Sequence, residues 1–106
     1  MIRAIALTAV LTACLCLWSA GNAKRGEELF NKMCTGCHSV DASKVGPALR
    51  GVYGRRSGPV TWDEPTLDRW LTDPTSVKPD TDMAFRSENA GERADIIAYL
   101  KTLRAK

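Results

Sequence analysis

The sequence predicts one small all-α domain in which three helices are joined by long loops. Three segments place apolar residues at helical spacing, no segment of useful length alternates as a strand does, and glycine and proline are concentrated between the helical segments. The chain has 106 residues, of which 44% are hydrophobic and 25% are charged. This is an ordinary globular composition, and it excludes disordered and collagen-like classes of protein.

The first predicted helix covers Lys24–Met33, with Leu29, Phe30 and Met33 as its apolar stripe. Gly26 lies inside this helix, where glycine is less favourable than alanine by about 1 kcal/mol. Either a close approach of another backbone or a frayed first turn would explain a glycine at this position.

The second predicted helix follows a loop rich in glycine and proline over Val45–Gly58. Thr61 and Glu64 have the spacing of a capping box, and Asp73-Pro74 ends the helix.

The third predicted helix begins near Asn89, with Glu92 three residues later. Its apolar face consists of Ile96, Tyr99, Leu100 and Leu103. Residues 75–90 form a second long irregular stretch before it. Loops of this length are unusual in a compact domain unless they wrap around something.

The first 23 residues have the layout of a secretory signal peptide. Arg3 precedes an uncharged, mostly apolar run of 17 residues, and small residues follow. The small-x-small pairs are Ser19/Gly21 and Gly21/Ala23. We place the cleavage after Ala23, which leaves residues 24–106 as the mature domain.

Two alternatives stay open for this segment. Its apolar run is at the short edge of a membrane span, so it could remain as an uncleaved anchor. Leu11–Cys14 also resembles a lipoprotein cleavage box with Cys14 as the lipidated residue, although the following Leu15–Trp18 is apolar. Under each interpretation the rest of the chain is exported, most simply to a bacterial periplasm. Membrane contact is expected only if the segment is retained or Cys14 is lipidated.

The charge balance gives no indication of nucleic-acid binding. The whole chain has a formal charge of +3, and residues 24–106 have +2. This charge is modest for a nucleic-acid binder, in which a clustered basic face is expected. A domain of this size buries only about 60% of its unfolded surface and is marginal for an unaided core. We therefore expect something else to help fill the core.

Cys34, Cys37 and His38 form a C-x-x-C-H sequence, the attachment motif for covalently bound haem. Two thiols three positions apart at the end of a helix can each add to one vinyl group of the porphyrin, and the next imidazole can take an axial position on the iron. A structural Cys34–Cys37 disulfide or a thioredoxin-like redox pair would favour a strand before the motif and a helix after it. Here the predicted helix comes before the motif and a loop follows it. Zinc would need a fourth ligand that no further Cys or His of residues 24–106 supplies.

Elimination reduces the number of residues that could be the other axial ligand of the iron. His38 is the single histidine of the chain, so a protein ligand must be Met, Lys, Tyr or a similar residue. Met33 is five residues before His38 on the same local structure, whereas Met83 is 45 residues after it and can cross to the opposite face. Met83 could instead fill the core. Given a haem with an open face, Met83 is the favoured ligand, and His/Met ligation suits electron transfer.

The domain from Lys24 to Lys106 resembles the class I c-type cytochromes, close to the mitochondrial-type branch. Besides C-T-G-C-H, the matching stretches are Gly46–Gly58, Thr61–Leu67, Pro79–Phe85 and Arg93–Lys101. The resemblance implies the small cytochrome c fold, in which three main helices and long loops surround one haem. It also implies that Gly26 and Phe30 pack against Ile96 and Tyr99 where the first and last helices cross.

The resemblance assigns further residues to the haem. The Pro47 carbonyl would accept the Nδ1–H of His38, Arg55 and Trp62 would bond the propionates, and Thr81 would lie nearby.

Three features depart from the family pattern. Only Pro59 lies between Gly58 and Val60, where mitochondrial members have a longer loop over the propionate edge. Trp70 stands where a tyrosine usually contacts the methionine ligand. The usual surface lysines are largely missing, since Asp82 immediately precedes Met83 and Thr75-Ser76 replace expected lysines.

The sequence thus predicts a soluble, exported, monomeric one-electron carrier with one haem c. We expect redox proteins as donor and acceptor, and neither enzymatic activity nor nucleic-acid binding. Two alternatives stay open. The chain could be the haem c subunit or anchored electron-entry domain of a larger oxidoreductase, or its iron could bind peroxide or nitric oxide if Met83 dissociates easily.

Overall fold

A computed structural model describes residues 21–106 and contains three helices and one small sheet. The helices are α1 (Ala23–Met33), α2 (Glu64–Thr72) and α3 (Ala90–Thr102), and a 3₁₀ turn covers Pro74–Ser76. Strands β1 (Arg56–Ser57) and β2 (Val60–Thr61) pair in antiparallel orientation. The three helices and long loops confirm the predicted fold class. The signal peptide, anchor and lipidation hypotheses concern residues 1–23, of which residues 1–20 lie outside the described residues.

Helix α1 begins one residue before its predicted start. Asn22 is its N-cap, and the Asn22 side chain accepts a 3.0 Å hydrogen bond from the Arg25 backbone N–H. The buried face of the helix consists of Gly26, Leu29 and Phe30. No helix within residues 21–106 has both the length and the apolarity to cross a membrane.

Helices α1 and α3 cross at Gly26, where their backbones come into contact. A Cβ added at Gly26 would overlap the Asp95 carbonyl oxygen and would lie 2.9 Å from the Tyr99 Cβ. The Phe30 and Tyr99 rings pack beside this point with their centroids 5.3 Å apart. A close backbone approach, not a frayed first turn, therefore explains this glycine.

The predicted capping box at the start of α2 is wrong. Asp63 is the N-cap, and its side chain accepts a 3.0 Å hydrogen bond from the Thr66 N–H, whereas Thr61 lies in β2. Pro65 has no N–H to be capped, so the Thr66 N–H is the donor that needs an acceptor, and Asp63 is close enough to supply it.

The hairpin of β1 and β2 was not predicted because each strand has only two residues. Ser57 pairs with Val60, so Gly58 and Pro59 alone form the turn, with Gly58 at a φ of +61°. Two flanking backbone hydrogen bonds extend the pairing: Trp62 N–H donates to the Arg55 carbonyl at 2.9 Å, and Gly54 N–H donates to the Trp62 carbonyl at 2.8 Å. The shortened loop is thus a tight hairpin turn.

The hydrophobic core lies between the helices and receives side chains from the loops that wrap around them. Its buried members are Leu29, Phe30, Val52, Trp62, Leu67, Leu71, Ile96, Ile97, Leu100 and Leu103. On one side this core opens into a large cavity, which several of the same residues line.

Candidate haem-binding site

A cavity of about 580 Å³ lies between α1, α2, α3 and the two long loops. All eight site residues predicted from the sequence line it: Cys34, Cys37, His38, Pro47, Arg55, Trp62, Thr81 and Met83. The remaining wall is mostly apolar and includes Phe30, Leu67, Trp70, Phe85 and Ile96. The long loops therefore wrap a space that is far larger than a packed core leaves.

The two thiols and the imidazole reach the cavity from a turn that continues α1. Cys34 N–H donates to the Phe30 carbonyl at 2.8 Å, and His38 N–H donates to the Cys34 carbonyl at 2.9 Å. Cys37 N–H also donates to the Cys34 carbonyl, at 3.1 Å. These bonds keep Cys34, Cys37 and His38 within one compact turn at the cavity wall.

The His38 ring is fixed by a hydrogen bond on one side and by a glycine on the other. Its Nδ1 lies 2.9 Å from the Pro47 carbonyl oxygen, and since a carbonyl oxygen only accepts, Nδ1 carries the proton. The Nε2 lone pair is then free to bind a metal. A Cβ at Gly46 would overlap the ring at Cε1 and would lie 2.7 Å from Nδ1, so only glycine leaves room for this imidazole.

Cys34 and Cys37 differ in their surroundings. Burial, with a smaller contribution from Cys37, raises the pKa of the Cys34 thiol to about 11, whereas Cys37 is exposed. No disulfide joins Cys34 to Cys37 in the described residues, so both sulfurs are available for thioether bonds to a haem.

Met83 reaches the cavity from the loop between the 3₁₀ turn and α3. The loop is anchored at both ends, because Lys78 N–H donates to the Pro74 carbonyl at 3.0 Å and Ser87 N–H donates to the Leu71 carbonyl at 2.8 Å. Between these anchors, the Thr81 hydroxyl accepts a 3.2 Å hydrogen bond from the Met83 N–H. Met83 and His38 therefore enter the cavity from two different elements.

The hairpin places a cluster of hydrogen-bond donors at one corner of the cavity. Trp62 Nε1–H donates to the Ser57 Oγ at 3.2 Å, and the half-buried Arg55 guanidinium donates to the Arg50 carbonyl at 2.6 Å and the Ala48 carbonyl at 3.3 Å. Ser57 was not among the predicted site residues. Its place in the sequence, five residues before Trp62, indicates a contact only once the hairpin register is known.

The residues of this cavity fit a haem better than a metal ion alone. An apolar space, two thiols, an imidazole, a thioether and a corner rich in N–H and O–H donors match a flat apolar ring that carries iron and two carboxylates. Within the described part of the chain, no three His, Cys, Asp or Glu side chains form a possible metal-ion site. The geometry thus gives no support to the zinc alternative.

A family model described as cytochrome c matches residues 23–104 of this chain. The chain belongs to the cytochrome c family. It is 46% identical to cytochrome c2 iso-2 of Magnetospirillum fulvum, over 67% of this chain and 92% of that protein. It is 40% identical to cytochrome c of Euglena viridis, over 79% of this chain and 99% of that protein. Among solved structures, cytochrome cH from Methylobacterium extorquens matches with a TM-score of 0.72 and 37% identity, over 77% of this chain and 99% of that one.

Membership of the cytochrome c family confirms the predicted cofactor, one covalently attached haem c. It also confirms the general function: this cytochrome is a haem-binding electron carrier that works with redox protein partners.

Proposed function

We propose that this cytochrome is an exported one-electron carrier whose haem is attached through Cys34 and Cys37 and ligated by His38 and Met83. The observation that carries the proposal is that one apolar cavity is lined by all four of these side chains. When bound, the haem supplies the chemistry, a one-electron change of its iron between Fe(III) and Fe(II).

The two ligands have complementary properties. Pro47 holds the proton of His38 on Nδ1, so that Nε2 is the atom left to bind iron. The Met83 thioether is a soft ligand that favours Fe(II) and raises the reduction potential. If His38 and Met83 both bind the iron, no coordination position would be left for a substrate, and we propose on this ground that the protein is not an enzyme.

Arg55, Trp62 and Thr81 are proposed to bind the propionates, with Ser57 as an additional member. The positive charge of Arg55 and the N–H and O–H groups of the others supply what two carboxylates need at the rim of an apolar cavity. Because the hairpin turn has only Gly58 and Pro59, this corner has little cover from the loop itself.

The N-terminal segment supports export, with the bacterial periplasm as the proposed location and a monomer as the proposed state. Haem attachment outside the cytoplasm agrees with this location. The donor and acceptor are proposed to be redox proteins that dock transiently.

The absorption spectrum of the oxidised protein, extended into the near-infrared, tests the ligand pair. The protein is purified after export in a host with haem-attachment machinery. We expect a low-spin spectrum with the weak Met-sulfur-to-Fe(III) band, which Met83→Ala abolishes. Met33→Leu is the matched control, since Met33 lines the same cavity from α1 and its loss should leave the band intact. A high-spin spectrum without the band would contradict the proposal and favour binding of peroxide or nitric oxide.

The second candidate is a haem c subunit or anchored electron-entry domain of a larger oxidoreductase. The near-neutral charge favours it: residues 24–106 have a formal charge of +2, which two ionised propionates would cancel. Purification under native conditions separates the two functions. A stoichiometric complex would favour the subunit, and a free monomer would favour the carrier.

A further inference from the structure

The start of α1 discriminates between the two small-x-small pairs at the end of the export segment. We propose that the chain is cleaved between Gly21 and Asn22, so that the mature cytochrome begins with Asn22 and its α-ammonium group pairs with Asp95. This inference rests on the proposed export of the protein.

Asn22 belongs to the folded domain. Its side chain caps α1 by accepting from the Arg25 N–H at 3.0 Å, and its carbonyl accepts from the Gly26 N–H at 2.9 Å. Its own backbone nitrogen donates to the Asp95 Oδ1 at 2.7 Å, which ties the start of α1 to α3. Cleavage after Ala23 would remove all three contacts, whereas cleavage after Gly21 keeps them.

The charge at the new chain end also favours Asn22. The first turn of α1 contains no acidic residue and begins with Lys24 and Arg25. A new ammonium at Lys24 would add a third positive charge at the positive end of the helix dipole. At Asn22, the ammonium lies instead against the Asp95 carboxylate, and the existing neutral hydrogen bond becomes a charge-assisted one. Arg25 also faces this carboxylate, with Nε 3.8 Å from Oδ2.

Gly21 suits both cleavage by a signal peptidase and the packing of the folded domain, for different reasons. As the residue before the cleaved bond, with Ser19 two positions earlier, it completes a small-x-small pair. In the folded chain a Cβ at position 21 would overlap the Ala94 carbonyl oxygen of α3. While the N-terminal segment stays attached, only glycine fits at position 21 beside α3. Cleavage after Gly21 removes this steric restriction from the mature protein.

Intact-mass spectrometry of the exported holoprotein is the first test. The full chain is expressed in a bacterium with haem-attachment machinery, and we expect the mass of residues 22–106 plus one haem. A mass for residues 24–106 would overturn the proposed cleavage site but not export. A retained precursor, or a lipid on Cys14, would overturn the site together with the proposed removal of a signal peptide.

Two variants test which pair is used. Ser19→Leu places a large residue in the first pair and leaves Gly21/Ala23 unchanged, whereas Ala23→Leu alters the second pair and leaves Ser19/Gly21 unchanged. We expect Ala23→Leu to be cleaved before Asn22 as in the parent chain. We expect the Ser19→Leu chain either to be cleaved between Ala23 and Lys24 or to accumulate as the uncleaved precursor. The opposite pattern would overturn the proposal.

The pairing with Asp95 is tested by the reactivity of the new α-amine. An N-acylating reagent at neutral pH, with peptide mass mapping, gives the acylation rate at Asn22. We expect this rate to rise several-fold in Asp95→Asn, which can keep a hydrogen bond but lacks the charge, while the rate at Lys44 stays unchanged. Equal Asn22 rates in the two proteins would overturn the ion pair.

Discussion

At the scale of single residues, the orientation of the His38 imidazole depends on the Pro47 carbonyl and on the absence of a side chain at Gly46. The carbonyl fixes the proton on Nδ1, and the glycine leaves room for the ring. Gly46→Ala places a methyl group where the ring stands, so we expect a loss of about 1–3 kcal/mol in the free energy of unfolding. Denaturation of the holoprotein, followed by its absorption spectrum, measures the loss.

Gly36→Ala is the matched control for this prediction. Gly36 lies in the same motif, but a Cβ added there meets nothing within 4 Å. We expect its stability to stay close to that of the parent protein. Equal losses in the two variants would mean that the motif as a whole, and not the ring position, resists an added methyl group.

The residues of the site differ in how far the sequence could predict them. Cys34, Cys37 and His38 lie within one turn, so their spacing alone indicates their chemistry. Met83 is predicted as a ligand by elimination, because the chain has a single histidine and few methionines. Ser57 was missed because serine is common in loops, and its contact with Trp62 depends on the hairpin register.

At the scale of secondary-structure elements, the crossing of α1 and α3 depends on Gly26. Gly26→Ala is favourable for an isolated helix, but in the fold the methyl group would overlap the Asp95 carbonyl. We therefore expect a destabilisation of about 1–3 kcal/mol or more, measured as a lower denaturation midpoint. Gly91→Ala, in the first turn of α3, is the control. A Cβ added there would lie 3.3 Å from the Asn89 Oδ1, which is a side-chain atom, and would not overlap any backbone atom of another helix. A stabilised Gly26→Ala variant would contradict the close backbone approach.

The cap of α2 gives a pH-dependent prediction. Hydrogen bonds from Thr66 lower the pKa of the Asp63 carboxyl from its ordinary value. A carboxyl with a lowered folded-state pKa stabilises the fold above its unfolded pKa, and this contribution is lost as the pH falls through the folded value. Asn at position 63 still caps the helix but does not titrate. We expect Asp63→Asn to melt below the parent protein at pH 6, and the gap to shrink as the pH falls below about 4, the ordinary range of an aspartate carboxyl.

Thermal melts of both proteins across this range provide the measurement. Loss of iron ligation in acid affects the two proteins alike, so the difference between their midpoints isolates the cap. A gap that stays constant down to the lowest pH would show that the charge of Asp63 contributes nothing to α2.

Long periodic segments were predictable and short non-local ones were not. The bounds of α1 agree with the prediction to within one residue, and α3 begins beside Asn89, its N-cap, because helical spacing and caps are local properties. The hairpin has two residues in each strand, too few to alternate. The cap of α2 was misassigned because Thr61 and Glu64 fit a local pattern, while the pairing of β2 with β1 fixes Thr61 in a strand.

At the scale of the whole molecule, the charge is divided unevenly between the two halves of the domain. Residues 24–62 have a formal charge of +4, and residues 63–106, which include the Met83 loop, have −2. Two ionised propionates would bring the total near zero. A distant partner is therefore attracted by little net charge, so short-range contacts become more important for docking. Val45 lines the cavity and is 84% exposed, which makes it available for such a contact.

Electron exchange with small charged reagents measures this balance without knowledge of the partner. The rates of oxidation by hexacyanoferrate(III), an anion, and by tris(phenanthroline)cobalt(III), a cation, are followed as salt rises from about 0.01 M to 0.1 M, which shortens the Debye length from about 30 Å to about 10 Å. We expect both rates to change by less than about threefold, because a near-neutral protein attracts neither reagent strongly. Asp80→Lys with Glu88→Lys replaces two negative charges with two positive ones at exposed positions of the loop between the 3₁₀ turn and α3, and so raises the net charge by four. In this variant the anion should react faster than with the parent protein at low salt and lose that advantage as salt rises. A steep salt dependence in the parent protein would show that its charge is concentrated at the site of electron transfer. The surface that the redox partner meets would then carry the charge opposite to that of the favoured reagent.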